Sequence, residues 1–219
     1  MDRSELSSLM QETGAIIRNS HIVYASGKHG SEYVNKDRLF VEPVIMKHGI
    51  VEPLTRLICD KWLPSLPTVK SYGLPRVIVG PAVAGAILAH AVAQGLAFYD
   101  PKIKCVYADK TSDGNYEFKR GYGKFIEGQE VLIVEDVLTT GSSVRKVIEA
   151  VAKAGGAVAG VAAIVNRGHV SFAPIPLVSL LDLNMESWEE CDCPLCRDNV
   201  PINTEVGKGR EYLAKKGVK

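Results

Sequence analysis

At 219 residues, 46% hydrophobic and 23% charged with a formal net charge of +1, the chain can bury one sizeable core with extensions, and it carries no global field to recruit nucleic acid or an acidic membrane surface. No apolar run reaches the roughly 18 residues that span a bilayer, and the opening MDRSELSSLM has an acid at its second position and no apolar signal core, so a soluble cytoplasmic protein is expected. Five cysteines make an odd count, and Cys59 and Cys105 stand alone among apolar residues, which suits reduced thiols rather than a disulfide framework.

In chain order, Leu6, Leu9, Met10, Ile16 and Ile17 recur at near-helical spacing and predict a leading helix over residues 4–18. SGKHGSEYVNKDRLF is glycine-rich and charged; PVIMKHGIVEPLTRLICDKWL resumes a helical pattern up to Pro64, and SLPTVKSYGLP is a connector. RVIVG reads as a buried strand and AVAGAILAHAVAQG as a helix capped by Gly95, followed by the strand KIKCVYA. DKTSDGNYEFKRGYGKFIEG is too polar to pack and has the length of a lid loop. VLIVE and AVAGVAAIV are two further strands, with the helix SSVRKVIEAVAKAG between them. Apolar strands alternating with helices specify an α/β fold whose central, mostly parallel sheet is covered on both faces.

The tail from about Asn184 contains Trp188 and CDCPLC. Thiolates of Cys191, Cys193 and Cys196 are good zinc ligands, but a closed structural site needs four ligands and only three cysteines cluster here. A turn whose cysteines and Trp188 pack against the core is therefore the favoured reading. TEVGKGREYLAKKG predicts a terminal surface helix or a frayed basic end.

In such sheets, ligands collect where loops leave the carboxyl ends of the strands. The strand VLIV ends at Glu135 and Asp136, and TTGSS leads into the next helix. Backbone N–H groups, the hydroxyls of Thr139, Thr140, Ser142 and Ser143, and the positive end of the helix dipole can together hold a phosphate, with Gly141 permitting close approach. The two carboxylates call for a different partner, and a ribose diol supplies two hydroxyl donors. Both groups occur together in a ribose 5-phosphate. No lysine follows the glycine as in a Walker loop, and no GxGxxG follows a strand.

This stretch resembles the diphosphoribosyl-binding signature of the type I phosphoribosyltransferases, and over about residues 5–170 the chain looks most like the orotate phosphoribosyltransferases of that family. The resemblance implies a phosphoribosyltransferase domain over 1–183 with an N-terminal hood, and a cysteine-containing extension over 184–219 that is packed on the core or partly mobile. Ser26, Gly27, Lys28, Tyr33 and Asn35 resemble the family's early loop beside the base, with Ala25 where many members carry lysine. Gly80, Pro81, Ala82, Val83, Ala84 and Gly85 resemble its pyrophosphate loop, in which Val83 and Ala84 leave backbone contacts alone where some relatives have a lysine. Lys110, Lys119 and Arg120 resemble the cations of a mobile catalytic loop, and Arg167 falls where an arginine fork meets the orotate carboxylate.

The implied activity is transfer of the phosphoribosyl group from phosphoribosyl pyrophosphate to orotate. The implied cofactor is Mg2+, held mainly by substrate oxygens and water near Glu135 and Asp136. The implied assembly is a homodimer with shared active sites, with no nucleic-acid or membrane partner. Two alternatives share the sugar site: a purine-base salvage phosphoribosyltransferase, and a regulator that senses phosphoribosyl pyrophosphate. A net charge near zero and the lack of a basic helix weigh against the regulator.

Overall fold

The computed structural model describes residues 3–63 and 73–217. Its contacts divide the chain into two compact units, Met1–Pro43 with Asn184–Lys219, and Val44–Leu183. The N-terminal segment thus groups with the tail, rather than with the residues up to 183 to which the resemblance joins it.

The first unit opens with α1 (Arg3–Glu12), shorter than the 4–18 periodicity predicts. Thr13 turns its hydroxyl onto the carbonyl of Leu9 at 2.9 Å. The β-branched Ile16 and Ile17, which fit a pleated ladder better than a helix, leave to form β1 (Ile16–Ile17). Next come β2 (Ile22–Val23), β3 (His29–Gly30), β4 (Tyr33–Val34) and α2 (Asp37–Val41). The strand β1 pairs antiparallel with β4, and β2 with β3.

In the second unit a π-helical turn, Ile45–Val51, runs into α3 (Glu52–Trp62). Pro53 accounts for the irregularity: it offers no N–H to the carbonyl four residues back, and its ring crowds that carbonyl. Most of the expected 65–75 connector lies outside the described residues. Then follow β5 (Val77–Pro81), α4 (Ala84–Leu96), β6 (Lys104–Lys110), β7 (Tyr116–Glu117), β8 (Glu130–Leu138), α5 (Ser142–Lys153), β9 (Ala157–Asn166) and β10 (Leu177–Asp182).

These strands form one sheet in the order β10-β9-β8-β5-β6-β7. Every pairing is parallel except that of β7 with β6. Val77, Ile78, Val79, Leu132, Ile133, Val161 and Val165 are fully buried, as strands covered on both faces require. Cys59 and Cys105 are free thiols, and burial pushes Cys105 up to about 11, which keeps it unreactive.

Two details depart from the sequence reading. Gly95 lies inside α4, which ends at Leu96 with Ala97 as its C-cap. Its lack of a side chain serves packing, because a Cβ there would sit 2.5 Å from Oγ1 of Thr55 on α3. The edge strand β10 is an addition, a short apolar run placed by its register against Val161–Asn166. Among the described residues, no helix is long and apolar enough to cross a membrane.

The tail completes the first unit with a 3-10 turn, Glu190–Asp192, then α6 (Pro194–Arg197) and α7 (Gly209–Lys215). Single bridges join His29 to Trp188 and His21 to Ile202, so the tail lies against the β2–β3 hairpin.

Candidate active site

The chain leaves β5 for β6 on one side and later returns to β8 on the other. Strand order therefore reverses between β5 and β8, and a crevice opens beyond their carboxyl ends. The helices that follow these two strands, α4 and α5, both begin without a side-chain cap. Their first-turn N–H groups have no partner within the helix and carry the positive end of its dipole. Two candidate anion sites thus lie on neighbouring strand ends.

At the first, Ala82 N–H donates to the carbonyl of Ala108 at 2.9 Å, and the Ala82–Val83 peptide is cis. Gly80 is confined by this turn: a Cβ would lie 1.9 Å from the Gly85 carbonyl oxygen. Gly80→Ala is accordingly expected to cost about 3 kcal/mol of stability, the upper range for overpacking. Urea titration measures it, and an unchanged value would show that the loop accommodates the methyl group.

Val79 pairs with Ile133, and continuing that register sets Glu135 level with Pro81. One Glu135 oxygen accepts the Asp136 N–H at 3.1 Å and lies 3.3 Å from where a Gly85 Cβ would stand, which places the carboxylate beside the first anion site. Asp136 accepts the Val137 N–H at 2.6 Å. Glu135 is 8% exposed and Asp136 2%, so both carboxylates are buried at this strand end. They supply hard oxygen donors suited to Mg2+.

At the second anion site, Thr139, Thr140, Ser142 and Ser143 are exposed around a buried Gly141. Gly141 has φ 74°, and a Cβ there would meet Val170 Cγ1 at 2.6 Å. The Ser142 N–H donates to the Thr140 hydroxyl at 3.3 Å. Arg167 is held against this loop: its N–H donates to Leu138 O at 2.9 Å, and a Cβ on the adjacent Gly168 would fall 1.7 Å from the Thr139 carbonyl oxygen. The Asn166 amide brackets Val170, donating to its carbonyl at 3.3 Å and accepting its N–H at 3.0 Å. Gly168 is a site residue that the sequence reading missed, since nothing local announces its contact with Thr139.

The polar segment after β6 is also better packed than its composition predicts. It folds back as the β6–β7 hairpin, and Tyr116, Phe118, Tyr122 and Phe125 pack on the core around a fully buried Ile126. At its tip, Asp113 accepts bonds from Thr111 and from the backbone and amide of Asn115, which hold its carboxyl down to about 2. Lys146 of α5 donates to Gly114 O at 2.6 Å. Of the three expected cations, Arg120 is paired with Asp109 and stacked over Tyr107, Lys119 lies 3.1 Å from Glu117, and Lys110 is exposed.

The structure thus gathers residues 80–85, 135–143 and 167 along one edge of the second unit, with Lys110, Lys119 and Arg120 on its hairpin. Lys28, Tyr33 and Asn35 belong to the first unit. There Lys28 Nζ lies 3.1 Å from Glu189, Tyr33 pairs with Ile17, and Asn35 N–H donates to Ala15 O at 2.8 Å.

Comparison with known proteins follows the same lines. Residues 70–189 match the family model described as the phosphoribosyl transferase domain. The chain is 34% identical over 209 residues to the orotate phosphoribosyltransferase of Thermotoga maritima, covering 93% of this chain and 98% of that one. It is 33% identical over 189 residues to the orotate phosphoribosyltransferase of Caldanaerobacter subterraneus subsp. tengcongensis, covering 85% and 88%. The crystal structure of orotate phosphoribosyltransferase from Aeropyrum pernix shares the fold with a TM-score of 0.57 at 22% identity, covering 81% of this chain and 93% of that chain.

Proposed function

The chain belongs to the phosphoribosyltransferase family, and on that premise we propose that it transfers the phosphoribosyl group from phosphoribosyl pyrophosphate to orotate. The products are orotidine monophosphate and pyrophosphate, in cytoplasmic pyrimidine biosynthesis. One observation carries the reading: the Glu135 carboxylate stands beside Gly85 at the start of α4, and Glu135 with the buried Asp136 leads a few residues later into the start of α5. That is the order of charges along the donor, with a diphosphate at one end, a diol in the middle and a 5-phosphate at the other.

In this reaction the bond from the anomeric carbon to pyrophosphate breaks, and a bond from that carbon to the base nitrogen forms. Positive character develops on the ring carbon and negative charge on the leaving group, so catalysis is mainly electrostatic and positional. The N–H groups at the start of α4 meet the pyrophosphate, those of α5 with Thr139, Thr140, Ser142 and Ser143 hold the 5-phosphate, and the two carboxylates orient the ribose. Mg2+, held mainly by substrate oxygens and water beside Glu135 and Asp136, would neutralise charge on the leaving group. Lys110, Lys119 and Arg120 add positive charge from the hairpin; Lys119 and Arg120 must exchange their present carboxylate partners to do so. Orotate is already acidic at its ring nitrogen and needs little further activation.

The proposal includes a homodimer with shared sites. Val83 and Ile87, 76% and 51% exposed at the start of α4, offer apolar surface that a partner would cover.

A scan of free bases for pyrophosphate release tests the assignment: orotate should turn over, while adenine, hypoxanthine and xanthine should not. Arg167 gives a sharper check. Because only orotate brings a carboxylate, Arg167→Ala is expected to weaken orotate roughly 10- to 150-fold, the equivalent of about 1.5–3 kcal/mol, while phosphoribosyl pyrophosphate binding changes little. Equal losses for both ligands, measured by calorimetry, would remove Arg167 from the base side.

A further inference from the structure

Four metal-ligating side chains converge in the first unit, outside the transferase site. His21, immediately before β2, and His29, in β3, stand on facing arms of a hairpin; Cys193 is the N-cap of α6 and Cys196 lies within it. One ligand atom from each lies within 4.8 Å of all the others. Nε2 of His21 is 2.9 Å from Nδ1 of His29, 3.7 Å from Sγ of Cys193 and 3.6 Å from Sγ of Cys196, and the last sulfur is 3.2 Å from Nδ1 of His29. A tetrahedral zinc ion with ordinary bond lengths sets its ligands about 3.3 Å apart for two nitrogens and about 3.6 Å for nitrogen and sulfur. The observed edges match these to within a few tenths of an ångström. We propose that His21, His29, Cys193 and Cys196 form a structural zinc site that ties the two ends of the chain together.

The surroundings support a cation rather than a hydrogen-bonded cluster. Nδ1 of His21 lies 2.7 Å from Val200 O; donating its proton there leaves the Nε2 lone pair aimed at the centre, the outer-shell arrangement that orients zinc-bound histidines. A hydrogen bond between the two rings would account for one edge, but it would not draw both sulfurs to the same point. His29 is 0% exposed, His21 and Cys193 2%. Two thiolates and two neutral imidazoles around a divalent ion carry no net charge, so such a site can be buried without stranding one.

The third cysteine of CDCPLC separates from the others. Cys191 is exposed and takes no part in the cluster, and the ligands missing from the sequence count are histidines more than 160 residues upstream. A unit of about 80 residues built from both chain ends is also of the size at which small folds commonly need a metal or a disulfide.

The full-length protein tests this directly. Purified without chelator, it is expected to hold about one zinc per chain by elemental analysis. After zinc exchange, Co2+ should give the strong visible ligand-field bands of a tetrahedral site together with thiolate-to-cobalt charge transfer. Cys193→Ser and Cys196→Ser should each weaken zinc at least about 10-fold in competition with a chromophoric chelator, while Cys191→Ser should leave it unchanged. If the Cys193 and Cys196 variants fail to fold, the cobalt spectrum of the wild-type chain still decides. Absence of zinc with no uptake of either ion, a six-coordinate cobalt spectrum, or equal loss on Cys191→Ser would overturn the site.

Discussion

Asp136→Asn lowers turnover about 100-fold while leaving the fold intact: this is the expected result if the buried carboxylate acts electrostatically, since losing one pre-organised contact to a developing charge typically has this effect. The substitution is well matched to the question. The asparagine oxygen can still accept the Val137 N–H that Asp136 accepts at 2.6 Å, and the side chain keeps its volume at a position only 2% exposed. Charge is therefore the main property removed. Steady-state kcat, with a thermal melt to establish folding, is the measurement. A folded variant with wild-type turnover would mean that the carboxylate shapes the strand end and does nothing for the reaction.

The second large effect concerns where the hairpin cations act. If each subunit lends its hairpin to its partner, a chain crippled at Asp136 still has a working hairpin, and a chain with Lys110, Lys119 and Arg120 replaced by alanine still has a working pocket. Random exchange between equal amounts of the two makes roughly half the dimers mixed, each with one competent site, so activity should rise from near zero to about a quarter of wild type. Loss of the two surface ion pairs at Lys119 and Arg120 costs little stability, at most about 1 kcal/mol each. The structure makes the outcome open to a clear answer, because Lys146 ties the hairpin tip to α5 of its own subunit through Gly114 O. Lending the hairpin requires that bond to be exchanged. Verified heterodimers as inactive as both parents would confine the hairpin to its own subunit.

The strands β5, β8 and β9 can be read from the chain because each contains a run of small or β-branched apolar residues that is buried on both faces. The acidic pair and TTGSS could be singled out for a related reason: the strand end, the glycine, the hydroxyls and the start of α5 are contiguous in sequence. What escaped the reading depends on partners distant in sequence. Ile16 and Ile17 fit a helix until β4 offers them a ladder, and Gly95 resembles a helix stop until Thr55 is packed against it. The aromatics at 116, 118, 122 and 125 have no period of their own and are ordered by the core beneath them. The three cysteines of the tail look one ligand short, whereas only Cys193 and Cys196 converge, and they do so with two histidines, His21 and His29, from a stretch near the other end of the sequence.

That last separation also has a meaning in time. Residues 44–183 are continuous in sequence, so their unit is complete in the chain before the tail is made, whereas residues 1–43 complete theirs only with residues 184–219. His29 must wait for Trp188, its bridge partner, and at the usual pace of synthesis the delay is roughly ten to thirty seconds. Residues 1–43 are therefore finished after the segment that follows them: β1 can pair with β4 and β2 with β3 at once, but the bridges of His21 and His29 to Ile202 and Trp188 form only when the tail has been made.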